Sequence, residues 1–283
     1  ALEAGWPAAG LSSLPSTTEV AQPLITDDRI KMLTFTGSPA VGWSLKAKAG
    51  RKKVTLELGG NAGVIVHSDA DLDFTAQRCV VGGFSYAGQS CISVQRIFIQ
   101  EGAYEDFLDL FLERIRKLVM GDPLDEKTDV GPLINREAAD RVEAWIKEAV
   151  KDGAEILTGG RRDGQLIEPT VLAQVRPEMK VQGLEVFAPV VTVTPYRDFE
   201  DAVRVVDQSE YGLQAGLFTR DLKAVFHAYE EIEVGGLMVN EVPTFRIDHM
   251  PYGGVKASGQ GREGLRYAIQ EMTEPKLLML NLA

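Results

Sequence analysis

An α/β fold with largely parallel sheets is the expectation for this chain of 283 residues. Short β-branched or apolar runs alternate with amphipathic stretches of helical spacing, which is how βα units read. Helix-starting residues such as Ser38-Pro39 and Asp69 or Asp71, and a stop at Gly50, fall at the edges of those stretches. Phe107, Leu108, Phe111, Ile115 and Leu118 recur at the spacing of one buried helical face.

In chain order, Ala1 to Gly5 reads as the end of a helix, and Arg29 to Thr36 as a strand. A helix from Pro39 towards Ala49 follows, then a strand from Lys53 to Leu58. Asp69 or Asp71 caps a helix continuing towards Ala87, which delivers a loop around Cys91. Val94 to Gln100 is β-branched enough for a strand, and helices run from Tyr104 to Val119 and from Arg136 to Asp152. Later strands span Val190 to Pro195, Ala215 to Thr219 and Gly236 to Asn240, with helices near Glu200 to Ser209 and Asp221 to Glu231. The end, Thr273 to Asn281, reads as an apolar strand after a helix, hazardous if left unpaired.

Composition narrows the classes. Apolar content of 45% and charged content of 25% are those of a soluble globular protein, and a net charge of −11 argues against nucleic-acid binding. No run has the length of a membrane span. Two cysteines are too few for a disulfide framework, so a reducing cytoplasm is expected. His67, His227 and His249 show no metal-ligand spacing, and no metal site is expected.

The chemistry concentrates in a few stretches. Gly88-Gln89-Ser90-Cys91-Ile92-Ser93 sets one thiol among small residues, where a backbone can approach a ligand closely. Taken alone, such a cysteine reads as a packing residue as readily as a nucleophile. Upstream, Val54-Thr55-Leu56-Glu57-Leu58-Gly59-Gly60 puts an acid in an apolar strand, a poor choice for a core and a good one for a general base. Its apolar neighbours should raise the pKa of Glu57. Cys79 lies inside a helix and reads as packing. Gly37-Ser38-Pro39-Ala40-Val41-Gly42 opens a helix after a strand, with Ser38 as N-cap, Pro39 at the first helical position and N–H groups suited to a pyrophosphate.

These stretches resemble the aldehyde dehydrogenase superfamily. Leu56-Glu57-Leu58-Gly59-Gly60-Asn61 and Gly88-Gln89-Ser90-Cys91 are similar to its two hallmark sequences. Phe35-Thr36-Gly37-Ser38, Glu185-Val186-Phe187-Ala188-Pro189 and Pro251 to Gly259 agree with it in order. The resemblance implies an aldehyde dehydrogenase-like fold: part of a Rossmann-like nucleotide-binding domain (1–59), an α/β thiol domain (60–256) and a C-terminal helix and oligomerisation strand (257–283). It implies a substantial part upstream of Ala1, including an oxyanion-binding asparagine and the region that separates NAD from NADP. It makes Cys91 the nucleophile and Glu57 the base that hydrolyses the thioester; relatives that transfer the acyl group to coenzyme A generally lack this glutamate. NAD or NADP would be held by Gly37, Ser38, Gly42, Leu58, Glu185 (nicotinamide ribose) and Phe187 (near the nicotinamide). Ala188 departs from a commoner glycine.

The resemblance also places Arg246, Ser90 and Tyr252 on the substrate side. A guanidinium at 246 suits an anionic aldehyde, with an ion pair to Asp248 or a neighbour as the other reading. Tight backbone packing accounts for Gly253 and Gly254, and Lys256 belongs to the same turn. The expectation is oxidation of a small hydroxy- or anionic aldehyde, of lactaldehyde or semialdehyde type, by a homodimer or homotetramer. The alternatives are a catalytically incompetent fragment that oligomerises or binds a partner, and a cofactor-independent thiol esterase.

Overall fold

The computed structural model describes residues 2–282. Helix α1 (Thr18–Thr26) precedes strand β1 (Met32–Thr36), helix α2 (Pro39–Lys48) and strands β2 (Lys53–Glu57) and β3 (Ala62–Val66). Helix α3 (Leu72–Phe84) leads through the Cys91 loop to β4 (Val94–Gln100), α4 (Tyr104–Ile115) and α5 (Arg136–Lys151). Short strands β5 (Glu155–Thr158), β6 (Arg162–Asp163), β7 (Leu166–Ile167) and β8 (Thr170–Ala173) follow, then the one-turn helix α6 (Lys180–Gly183). The chain continues as β9 (Val190–Tyr196), α7 (Phe199–Asp207), β10 (Tyr211–Gly212), β11 (Gln214–Phe218), α8 (Leu222–Glu231) and β12 (Gly236–Val239). It closes with β13 (Val255–Lys256), β14 (Gly259–Gln260) and α9 (Leu265–Met272).

Two sheets position the site. The larger runs β12-β11-β3-β4-β9-β8-β5, parallel except for the antiparallel β5–β8 pair. The smaller runs β1-β2-β14, with β1 and β2 parallel. The chain passes from one to the other between the end of β2 at Glu57 and the start of β3 at Ala62.

Strand β4 is central and buried along nearly its whole length, which is why it is apolar on both faces. Its two buried polar members are satisfied by backbone. Gln95 donates to the carbonyls of Val181 and Leu184 and accepts from Val186 N–H, so it pins the loop that carries Glu185. Arg96 donates to the carbonyls of Asn61, Val205 and Val206. On one face of the sheet, α3 and α4 meet through Phe84, Phe107 and Phe111, the last two stacked at 5.3 Å between centroids. Burying each such ring contributes roughly 1.5–3 kcal/mol.

Most of the expected elements form, with shifts that have local causes. The strand expected from Arg29 begins at Met32, because Arg29 folds back to an ion pair with Asp27 at 2.6 Å. The cap of α3 is Asp71, whose side chain accepts from Phe74 N–H. Asp69 instead accepts from the Thr219 hydroxyl and Arg220 N–H, tying the end of β3 to that of β11. The helix from Tyr104 stops at Ile115, although Leu118 still packs on the core from the following turn. Strands β3, β5, β6, β7, β8, β10, β13 and β14 were not marked by the sequence pattern.

Two expectations are corrected, and a third element is seen only without a partner chain. Residues Leu2–Ala4 form a 3-10 turn rather than the end of an α-helix, and Ala1 lies outside the described residues. Ser38 stands at the N-cap of α2, but its side chain makes no capping hydrogen bond. Residues 273–282 form no strand within this chain, and Leu277, Leu278, Met279 and Leu280 are exposed. A strand exists only when paired, and this one finds no partner strand among the described residues.

Candidate active site

The acid sits where β2 ends. Thr36 of β1 is its parallel partner and Gly259 of β14 its antiparallel one, so Glu57 lies at the carboxyl edge of a parallel pair, where α/β sheets bind ligands. The side chain is 3% exposed, and neither carboxylate oxygen has a hydrogen-bond partner among the described residues. Burial without compensation disfavours the charged form and pushes the pKa up to about 8. Glu263 adds to the rise, while Arg262 and Arg246 oppose it. The rise expected from its apolar neighbours is therefore present, though burial by the whole fold produces it.

The thiol comes from the loop after α3. Tyr86 and Ala87 hold left-handed backbone at φ 53° and 54°, followed by Gly88 at 67°. Non-glycine residues pay roughly 1–2 kcal/mol each for that conformation. A side chain at Gly88 would strike the carbonyl of Ala188, 2.1 Å from an added Cβ. The sequence had suggested a glycine for access to ligand; here it also lets the thiol loop press against the loop of Glu185. Ser93 N–H to the Ser90 carbonyl, at 3.0 Å, closes the turn that carries Cys91.

Cys91 Sγ lies 3.2 Å from the Tyr252 hydroxyl. Burial pushes the thiol pKa up; the Tyr252 hydrogen bond opposes this, and the carboxylates of Glu185 and Glu57 add to the rise. Cys79 is fully buried within α3, and burial pushes its thiol far up. It packs, as its helical setting indicated.

A cleft of about 540 Å³ opens between the two sheets. Gly37, Ser38 and Leu58 line it from the β1–β2 side, and Ser90, Cys91, Glu185 and Phe187 from the other. Glu185 is held by Gly60 N–H, which donates to Oε1 at 2.9 Å, and burial raises its carboxyl pKa. Phe187 adopts left-handed backbone at φ 52°. Thus seven residues singled out from the sequence line one cavity.

Four do not. Gly42 lies in α2 against Leu58, where an added Cβ would come within 2.4 Å of a Leu58 methyl, so it packs the wall instead of lining the cleft. Glu57 is buried and does not line the cleft, although the next residue, Leu58, does. Tyr252 is 4% exposed and reaches the site through the Cys91 sulfur. Arg246 pairs with Glu263 at 2.6 Å, with its guanidinium 4.1 Å from the Tyr252 ring centroid. It lines a second cavity, of about 470 Å³, with Thr55, Arg262 and Glu263. Arg246 thus has an ion-pair partner, Glu263 in place of Asp248.

Sequence reasoning missed the supports. Gln95 and Glu263 carry no local motif, and their partners are far along the chain. Arg141 of α5 donates to the Val186 carbonyl at 2.8 Å, again across the fold. Gln89 was in the quoted motif without a role; its amide oxygen accepts from Ile134 N–H and its nitrogen donates to the Pro132 carbonyl, bracing the thiol loop.

A model of the aldehyde dehydrogenase family matches residues 1–278. The chain belongs to the aldehyde dehydrogenase family. It is 50% identical over 281 residues to a 3-sulfolactaldehyde dehydrogenase of Priestia aryabhattai, covering 99% of this chain and 59% of that one. Aldehyde dehydrogenase 21 of Physcomitrella patens, solved with the reaction product succinate, superposes with a TM-score of 0.93 at 47% identity, over 95% of this chain and 56% of that one. An NADP-dependent glyceraldehyde-3-phosphate dehydrogenase of Bacillus halodurans C-125, complexed with NADP, gives 0.95 at 35% identity, over 100% and 59%. The chain thus spans about three-fifths of the length of these relatives.

Proposed function

We propose that this chain carries the thiol, the base and one wall of the nucleotide cleft of a hydrolysing, NAD(P)-dependent aldehyde dehydrogenase. The observation that carries the reading is the gathering of Cys91 and Glu185 on one cleft, with Glu57, of raised pKa and without a hydrogen-bond partner among the described residues, buried next to the cleft residue Leu58.

The cleft fits the cofactor's parts. Its volume lies in the range of small-molecule sites. The Ser38 hydroxyl, unused as a cap, and the start of α2 suit a diphosphate. The Glu185 carboxylate suits ribose hydroxyls, and the half-exposed Phe187 ring suits the nicotinamide. When bound, NAD(P)+ supplies the hydride acceptor.

Cys91 Sγ attacks the aldehyde carbon as thiolate, forming the S–C bond while the carbonyl electron pair moves to oxygen. The Cys91 backbone N–H serves as one donor to that oxyanion. Loss of the aldehyde hydrogen as hydride re-forms the carbonyl and leaves a thioester on Cys91. Glu57, ionised, takes a proton from water; the water oxygen attacks the thioester, and the S–C electron pair returns to sulfur. The carboxylate product leaves.

A small hydroxy- or anionic aldehyde is the proposed substrate. The relatives' names support it: sulfolactaldehyde, glyceraldehyde 3-phosphate and the product succinate all pair a short chain with an anion. Arg246 supplies a cation beside Tyr252. The crossing from the small sheet to the large one at Gly59-Gly60, and the return of β14 to the small sheet, support domain divisions near 59 and 257. The exposed, unpaired Leu277 to Leu280 supports pairing with a second copy, in a homodimer or homotetramer. Among the described residues no helix is long and apolar enough to cross a membrane. Two free cysteines suit the reducing cytoplasm.

The test uses the full-length protein with a panel of aldehydes and both nucleotides, following reduced-nucleotide absorbance. Oxidation by the wild type and none by Cys91→Ala supports the reading; no oxidation of any aldehyde by the wild type overturns it.

A further inference from the structure

We propose that the Tyr252 hydroxyl is a catalytic group of this site: it donates its O–H to Cys91 Sγ and holds the sulfur as thiolate. The inference rests on the reading of Cys91 as nucleophile and adds a group that this reading does not require.

The geometry begins with the 3.2 Å contact between Sγ and the phenol oxygen. The tyrosine is fixed from three sides. Its backbone bridges Glu263 in both directions, N–H to carbonyl and carbonyl to N–H. Its ring packs with Ile92 and Leu213. The Arg246 guanidinium covers the ring at 4.1 Å. A phenylalanine would fill the same space, so packing alone leaves the hydroxyl unexplained. A buried phenol O–H needs a partner, and its partner here is the reactive sulfur.

The direction of the hydrogen bond follows from chemistry. A phenol is a stronger donor than a thiol, and a thiolate can only accept. Burial pushes the phenol pKa up, with the Cys91 interaction and Glu57 adding and Arg246 opposing, so the hydroxyl keeps its proton while the thiol titrates. The other side chains acting on the sulfur are Glu185 and Glu57, both of which disfavour thiolate, while a backbone hydrogen bond at Cys91 favours it. Tyr252 is the side chain that counters them. A cation on the ring face draws electron density from the oxygen and strengthens it as a donor. The same O–H is in place when the thioester S–C bond breaks and its electron pair returns to sulfur.

The experiment is the pH profile of Cys91 alkylation by iodoacetamide in the full-length protein, with the modified peptide identified by mass. Tyr252→Phe is compared with wild type and with Tyr196→Phe, which removes a buried hydroxyl that has no hydrogen-bond partner among the described residues. The expected result is a midpoint about one pH unit higher in Tyr252→Phe alone, with alkylation at pH 7 about tenfold slower. A Tyr252→Phe profile that overlays the wild type, or an equal shift in Tyr196→Phe, overturns the proposal. Aldehyde oxidation is measured on the same wild-type sample. A shifted midpoint with no oxidation keeps the thiol contact and removes the dehydrogenase reading; oxidation with an unshifted midpoint does the reverse.

Discussion

The N–H of Gly60 donates to Oε1 of Glu185 at 2.9 Å, and the same glycine lies so close to the thiol loop that an added Cβ would stand 2.1 Å from the Cys91 carbonyl oxygen. One residue therefore joins the junction after the base to both the thiol loop and the cleft carboxylate. The close approach is backbone against backbone, which no rotamer change relieves.

Gly60→Ala should consequently separate these loops. The expected outcome is a loss of roughly 1–3 kcal/mol in stability, read from urea unfolding. Cys91 alkylation by iodoacetamide should change rate in the same variant while Cys79 stays unmodified. An alanine variant with wild-type stability and wild-type thiol reactivity would show that the junction does not hold the site.

Glu57 makes stability depend on pH in a definite direction. The folded carboxyl keeps its proton up to about pH 8, whereas an ordinary one releases it near 4.5. The folded state therefore binds more protons through that window, and stability falls as pH rises across it. Glu57→Gln removes this ionisation. Its melting temperature should match the wild type at pH 4 and exceed it increasingly from pH 5 to pH 8, levelling off above.

The same group should govern turnover. Thioester hydrolysis needs Glu57 ionised, so its rate should rise with pH through about 8. Single-turnover release of the acid product from acylated Cys91 would measure this limb, and Glu57→Gln should abolish it.

Arg246→Leu tests the cation beside Tyr252. If its guanidinium engages the substrate anion, KM for anionic aldehydes should rise about tenfold or more while KM for neutral ones stays within about twofold. An equal rise for both would leave Arg246 as the Glu263 ion pair alone. Because Arg246 opposes the high pKa of Glu57, the hydrolysis limb should also move to higher pH in this variant for every substrate.

Arg96 is a buried cation on the central strand, held by backbone carbonyls, and burial lowers its pKa to about 10. Arg96→Met fills much of the space but strands the carbonyls of Asn61 and Val205. A loss of about 3 kcal/mol is expected, seen as a lower urea midpoint with unchanged slope.

Much of the fold was readable because its cues are local. Val94 to Gln100 has the composition of a buried strand and forms as read, while Phe107, Leu108, Phe111 and Ile115 have the spacing of a buried helical face, in a helix that ends at Ile115 instead of Val119. Strand β3 was missed because its first residues, Ala62-Gly63, are weak strand formers; β4 pairs with them, while β11 pairs only with Val64 to Val66. The C-terminal apolar run carried the pattern of a strand, but a pattern does not supply the neighbour a strand needs.

The sequence by itself determined the family, the α/β class and the identities of Cys91, Glu57 and Glu185 as candidate groups, since motif order and hydrophobic period are written along the chain. Tertiary structure decided what surrounds them: the Tyr252 hydroxyl on the sulfur, Glu263 in place of Asp248 as the partner of Arg246, Gln95 and Arg141 behind the Glu185 loop, and Gly42 in a wall instead of a cleft. Hydrogen bonds and charge interactions depend on distance in space, and residues far apart in the chain meet only after the sheets have set their loops at a common edge.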